Sequence, residues 1–213
     1  MSNTTASGTF SGSPIQHAVL ITSGDLRQSA NQVCWPAQAQ FEQQLVACFE
    51  KHGVKLTRAF PYDEQLKHGF ISSQRMGMDV FMGIDPGVPL VFATAAWQYT
   101  HHVLPGMRSH RGPMLTVANW SGKWPGLVGL LNLNGSLIKA GVPFSSIWSE
   151  DFSDTYANDA ISAWIATGNI RHDLSHVSIA YAPDANLALK ALTAKAAMLD
   201  AMGIKVHICG DIH

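Results

Sequence analysis

The 213-residue chain is poor in cysteine, in charge and in long apolar runs. Its three cysteines, Cys34, Cys48 and Cys209, are odd in number and form no CxxC pair, which excludes a disulfide framework and a cysteine-based zinc site. They read as reduced thiols of a cytoplasmic protein, with Cys48 on an apolar helix face. Charged residues make up only 14% and the net charge is −1. That balance argues against a nucleic-acid surface or a polybasic membrane patch. No apolar run approaches the roughly 18 residues needed to span a bilayer. Met1 to Pro14 are rich in Ser, Thr and Gly and carry no charged side chain. Lacking the basic start and apolar stretch of a signal peptide, they read as a disordered tail.

Recognisable catalytic signatures are missing too. No GxGxxG follows the first expected strand, so a dinucleotide enzyme is disfavoured. There is no GxxxxGK[ST] phosphate loop, no HExxH and no GxSxG nucleophile elbow.

What the chain does have is 46% apolar residues in alternating strand and helix patterns. Strands are expected at His17–Thr22, Val54–Phe60, Val88–Thr94, Pro113–Ala118, Phe144–Trp148 and Val177–Tyr181, with a short one at Asp79–Met82. Helices are expected at Trp35–His52, Asp63–Met76, Trp124–Ala140, Thr155–Thr167 and Asp184–Met202. In the first helix Phe41, Leu45, Cys48 and Phe49 fall at i, i+4, i+7 and i+8, one helical face. Pro36 is placed in its first turn and Pro125 at the first position of a later helix. Gly53, Gly141 and Gly203 each stand between an expected helix and an expected strand, as a left-handed helix closure requires. The reading is an α/β protein with a mainly parallel, doubly wound (Rossmann- or flavodoxin-like) sheet and helices on both faces. Its parts are a tail over 1–14, an N-terminal α/β domain over 15–172, and a start of a second α/β domain, or an extension of the first, over 173–213.

Open parallel sheets bind ligands at the carboxyl ends of their strands. The segments there carry Gly24-Asp25-Leu26-Arg27, Trp97-Gln98-Tyr99-Thr100-His101-His102, Asn119–Gly126 (NWSGKWPG) and Trp148–Asp154. Trp97, Trp120, Trp124 and Trp148 are thereby expected at one rim, among Arg, Gln, Asn and Asp. Flat apolar faces among hydrogen-bonding groups suit a sugar, which offers C–H faces and hydroxyls; packing against a neighbouring subunit is the competing use. His101, His102 and His110 suggest metal, but adjacent histidines diverge on either a strand or a helix. Glu150, Asp151 and Asp154 read as a possible carboxylate pair or, more simply, as caps of the helix at Thr155.

Taken in order, Trp97-Gln98-Tyr99, Arg111-Gly112-Pro113, Asn119–Gly126, Lys139-Ala140-Gly141-Val142-Pro143 and Glu150-Asp151-Phe152-Ser153-Asp154 resemble the N-terminal region of the L-fucose isomerase family, over about residues 17–208. The resemblance implies a three-domain, oligomeric aldose–ketose isomerase. Such enzymes use a divalent metal, usually Mn²⁺, and shift a proton between C1 and C2 through an enediol. It implies that the metal ligands and catalytic carboxylates lie beyond this chain. The first domain would lend sugar contacts at a neighbouring subunit's site. Trp97 resembles the family's sugar-contacting tryptophan and Arg27 the arginine after the first strand. Gln98 and Tyr99 match the motif. With Trp120 from the rim, these are the candidate substrate contacts, and no catalytic or metal-binding residue is expected on this chain. The expected partners are a small sugar and further copies of the chain, with no nucleic acid and no membrane. The alternatives are a carbohydrate-binding or assembly module without chemistry, and a complete enzyme holding a metal through His101, His102 or His110.

Overall fold

The computed structural model describes residues 14–96 and 101–169, and the strands at 176–180 and 205–209. The chain divides into two compact units, Met1–Ile170 and Arg171–His213. In the second, strands His176–Ala180 (β6) and Lys205–Cys209 (β7) pair in parallel. The helix expected at Asp184–Met202 lies outside the described residues.

The first unit is a five-stranded sheet in the order β2-β1-β3-β4-β5, every pair parallel. Its strands are β1 (His17–Ile21), β2 (Lys55–Arg58), β3 (Leu90–Thr94), β4 (Met114–Asn119) and β5 (Ser145–Ser149). The helices are α1 (Gln28–Lys51), α2 (Gln74–Met82), α3 (Leu104–Ser109), α4 (Leu127–Lys139) and α5 (Thr155–Thr167). The doubly wound expectation holds, and the strand order is the flavodoxin-like one. Among the described residues no helix is long and apolar enough to cross a membrane.

Alternate residues of each strand supply two separate cores. Ala18, Leu20, Val91, Ala93, Leu115, Val117 and Ile147 pack with Phe41, Leu45, Cys48 and Phe49 of α1 and Ile161, Trp164 and Ile165 of α5. Ile21, Leu90, Phe92, Met114 and Ala118 pack with Val103 and Met107 near and on α3, and Leu130, Leu133 and Leu137 of α4. β3 is buried at all five positions because helices cover both its faces. Burying one Leu- or Phe-sized side chain contributes about 1.5–3 kcal/mol, so these two layers dominate the unit's stability. Gly53 and Gly141 close their helices at φ 74° and 67°, as their place between helix and strand demands.

Four expectations are corrected. Helix α1 begins at Gln28, not Trp35, and Pro36 lies inside it. The buried positions of its first turns are Asn31, Cys34 and Gln38, so no apolar period announces them. Residues 63–73 are not helical: the Asp63 carboxylate accepts from the amides of Gln65 (2.8 Å) and Leu66 (2.9 Å), and Lys67 has φ 58°. The helix starts only after Ser73, whose hydroxyl accepts from Met76 N–H (3.1 Å), and it runs through Asp79–Met82, expected as a strand. Helix α4 starts after Gly126, so Pro125 precedes it. The Asn119 side chain causes this, donating to Ser121 O and accepting from Gly126 N–H, both at 2.8 Å.

Candidate functional site

Chain order reverses between β1 and β3, and in open parallel sheets such a reversal marks the ligand-binding crevice at the strands' carboxyl ends. β1 continues past Ile21 with Thr22, Ser23 and Gly24, all buried. Ser23 forms a parallel bridge with Ile71, Gly24 N–H donates to Ile71 O (2.8 Å), and Ile71 N–H donates to Thr22 O (3.1 Å). A Cβ on Gly24 would lie 2.6 Å from both Asn31 Oδ1 and Phe70 Cβ, so only glycine lets β1 turn into α1 here.

Asn31 then clasps the turn. Its Oδ1 accepts from Asp25 N–H (2.7 Å) and its Nδ2 donates to Asp25 O (2.8 Å). The Asp25 carboxylate accepts from Arg27 N–H (2.8 Å), Nε (2.9 Å) and Nη2 (2.9 Å). These Arg27 hydrogen bonds hold its carboxyl below the usual range, so Asp25 is ionised at neutral pH. Arg27 keeps 76% of its side chain exposed, leaving donors at the mouth of the crevice.

Beneath lies an apolar floor. Cys34, Phe70 and Ala96 are buried, with Trp35 and Trp124 packed against them. Trp35 meets Phe70 edge-on at 5.3 Å and Tyr62 at 5.7 Å. Lys123 Nζ stands 5.2 Å from the Trp124 ring centre.

A buried polar network fixes these walls. Gln38 Nε2 donates to Ala93 O (3.1 Å) and Glu42 Oε1 (2.7 Å), and Gln38 Oε1 accepts from Ala95 N–H (2.8 Å). The Gln38 amide thus replaces strand pairing where β3 ends. Glu42 pairs with Arg58, which also donates to Phe60 O (2.9 Å) and to Gly69 O, and stacks its guanidinium 5.0 Å from the Trp35 ring centre.

His101 and His102 go separate ways. His101 Nε2 lies 3.3 Å from Ser136 Oγ on α4. His102 is 2% exposed, and burial pushes its imidazole down against the opposing pull of Asp25. His110 is at the other end of the sheet, donating from Nε2 to Val88 O (2.7 Å) ahead of β3. Among the described residues no three His, Cys, Asp or Glu side chains are grouped to hold a metal.

Of the expected sugar contacts, Trp97, Gln98 and Tyr99 lie outside the described residues. Arg27 stands at the crevice mouth. Trp120 follows β4 and is 52% exposed. Of the expected rim tryptophans, Trp97 lies outside the described residues, Trp148 is the fourth of the five residues of β5, and Trp124 packs against the buried Cys34, Phe70 and Ala96. Asp154 caps α5, accepting from Ala157 N–H (2.8 Å). Asp151 is held below the usual range by its hydrogen bonds from Ser153 and is fully exposed. The acidic cluster is therefore a capping structure.

Sequence reasoning missed Asn31, Trp35 and Phe70. Phe70 follows β2 and belongs to the same edge of the sheet, but the segment had been read as helix. Phe60-Pro61-Tyr62 ahead of it was a turn signal that marked a loop.

The fold is that of a flavodoxin-like α/β domain, with charged and aromatic side chains at the carboxyl edge of its switch point. No family model matches the chain, and no curated protein matches it.

Proposed function

We propose that this crevice binds a small polyhydroxylated ligand of the aldose–ketose class. The chain would serve as the N-terminal, substrate-binding domain of an isomerase resembling L-fucose isomerase. One observation carries the reading: the Arg27–Asp25 pair follows β1 at the switch point, where Trp124, with Lys123 against its ring, and Trp35 pack on Phe70. Apolar floors with a few convergent polar groups suit small ligands, and an indole face beside charged hydrogen-bonding groups suits a sugar ring.

By that resemblance this domain binds and orients the sugar, and the Mn²⁺ and proton transfer belong to the domains that follow in such enzymes. A carbohydrate-binding module without chemistry would use the same crevice.

The test is titration of the chain with L-fucose, D-arabinose and the matching ketoses, read by tryptophan fluorescence. Saturable binding is expected. Arg27→Ala and Trp124→Leu should each weaken it about tenfold, the equivalent of about 1.4 kcal/mol. No response to any of these sugars, or wild-type affinity in both variants, overturns the reading. Mn²⁺-stimulated isomerisation by the chain alone would overturn the division of labour.

A further inference from the structure

A cavity of about 290 Å³ lies between α2, α3 and the turn that leads into β3. Pro86 and His110, both in its lining, place it at the amino end of the sheet, opposite Arg27. Met78 and Met82, one helical turn apart on α2, stand at its margin, 56% and 77% exposed. Methionine is flexible and polarisable, and it adapts to aromatic guests. Phe81, packed on the core, forms a further wall. A Cβ on Gly106 of α3 would lie 2.1 Å from Phe81 Cγ, so glycine there leaves the ring its place.

Hydrogen bonds fix the cavity's shape. Arg111 N–H and Gly112 N–H both donate to Pro86 O, at 2.8 and 2.9 Å. His110 Nε2 donates to Val88 O at 2.7 Å, so the turn is tied to the end of α3. The polar chemistry inside is narrow. Among the described residues no charged side chain lines the cavity, and its polar side chains are Ser109 and His110. Ser109 Oγ donates its proton to Pro105 O (3.3 Å). A carbonyl oxygen only accepts, so the His110 proton sits on Nε2 and leaves Nδ1 a bare acceptor. His110 is 8% exposed, and its Nδ1 has no partner among the described residues. Burial lowers this imidazole below its usual value, which keeps it neutral at neutral pH.

We propose that this cavity binds a small uncharged bicyclic aromatic molecule carrying one ring donor, as indole does, with that donor on His110 Nδ1. Size sets the scale: an apolar cavity of roughly 150 Å³ takes benzene, so this one admits a fused pair of rings. Charge excludes phosphates, carboxylates and nucleotides, which would be desolvated here without a counter-ion. Sugars are excluded as well, because the lining side chains offer no free donor to their several hydroxyls. A flat ring instead meets the Phe81 ring and the Met78 and Met82 thioethers, and its single donor meets the single bare acceptor. This inference does not depend on the sugar reading.

Calorimetric titration of the full 213-residue chain with indole near neutral pH tests it. Saturable one-to-one binding tighter than about 1 mM is expected for a ligand of this size. N-Methylindole has the same rings without the donor and should bind about tenfold more weakly, the worth of one hydrogen bond. Met78→Glu places a charge at the margin from an exposed position and should weaken indole about tenfold or more. Leu131→Glu, at an equally exposed residue on α4, should bind as the wild type does. His110→Leu should bind the two ligands alike, and their comparison on the wild type decides the point if that variant fails to fold. No saturable binding by the wild type overturns the proposal. So does equal affinity for indole and N-methylindole, wild-type affinity in Met78→Glu, or loss of binding in Leu131→Glu.

Discussion

Removing Arg58 tests whether the crevice walls are held by the buried polar network. Arg58 leaves β2 with its side chain only 21% exposed, and its partner Glu42 is 7% exposed. Arg58→Met keeps most of the aliphatic volume but leaves the Glu42 carboxylate without its cation and Gly69 O and Phe60 O without a donor. Breaking a buried pair from one side costs about 3–5 kcal/mol, because the surviving charge stays desolvated. Arg58→Met/Glu42→Leu removes both charges and should recover about half of the loss or more, since a buried pair replaced by apolar groups is often near neutral. At about 2–4 °C per kcal/mol for a chain of this size, the single variant should melt roughly 6–20 °C lower. Urea unfolding followed by tryptophan fluorescence is the appropriate assay. All six tryptophans lie at or before Trp164, so the signal reports the five-stranded unit alone. A loss below about 1 kcal/mol for Arg58→Met would place the pair among solvent-screened surface contacts. A double variant no more stable than the single would show that the lost donors, not the stranded charge, carry the effect. Either result refutes the reasoning.

Two further outcomes follow from local geometry. Gly77→Ala should destabilise the chain by about 1–3 kcal/mol, because its Cβ would sit 2.1 Å from the backbone oxygen of His102. A gain in melting temperature would show that α2 moves aside freely. Stability should also fall with acid. Burial pushes His68, His102 and His110 below their ordinary value of 6.5. The unfolded chain then binds protons more readily than the folded one. The stabilisation is complete above about pH 6.5 and is lost as pH falls through that value toward the folded pKa values. Urea midpoints should therefore drop between pH 7 and pH 5. A flat or rising midpoint would mean that these imidazoles are protonated in the folded state. Asp25 and Asp151 add their loss only below the usual carboxylate range, so the two windows separate.

The sheet was legible in the sequence because β3 and β4 bury both faces and so read as unbroken apolar runs between polar turns. The cap of α5 was legible as well, since Asp154 stands where a first-turn acceptor is needed and Gly168 closes the helix at φ 67°. What escaped lies at the carboxyl edge, for one physical reason. Residues that serve a cleft cannot also follow an apolar period. The first turns of α1 turn Asn31, Cys34 and Gln38 inward, so the helix appeared to start at Trp35. The segment from Asp63 to Ser73 carries helix-forming residues, yet Asp63 turns it with its own carboxylate and Arg58 pins it through Gly69 O. Phe70 thereby reaches the crevice from a stretch that no periodicity marks.

Trp148 differs for another reason: a side chain's direction at the end of a strand depends on the pleat. β5 extends one residue beyond Trp148, so the pleat turns that indole onto the α4 face, while Ser149 is buried and donates to Asp154. Trp148 is 42% exposed there. The aromatic signal in this sequence therefore divides between two places: Trp35 and Trp124 pack around Phe70 at the carboxyl edge, and Trp148 stands exposed on the α4 side of β5.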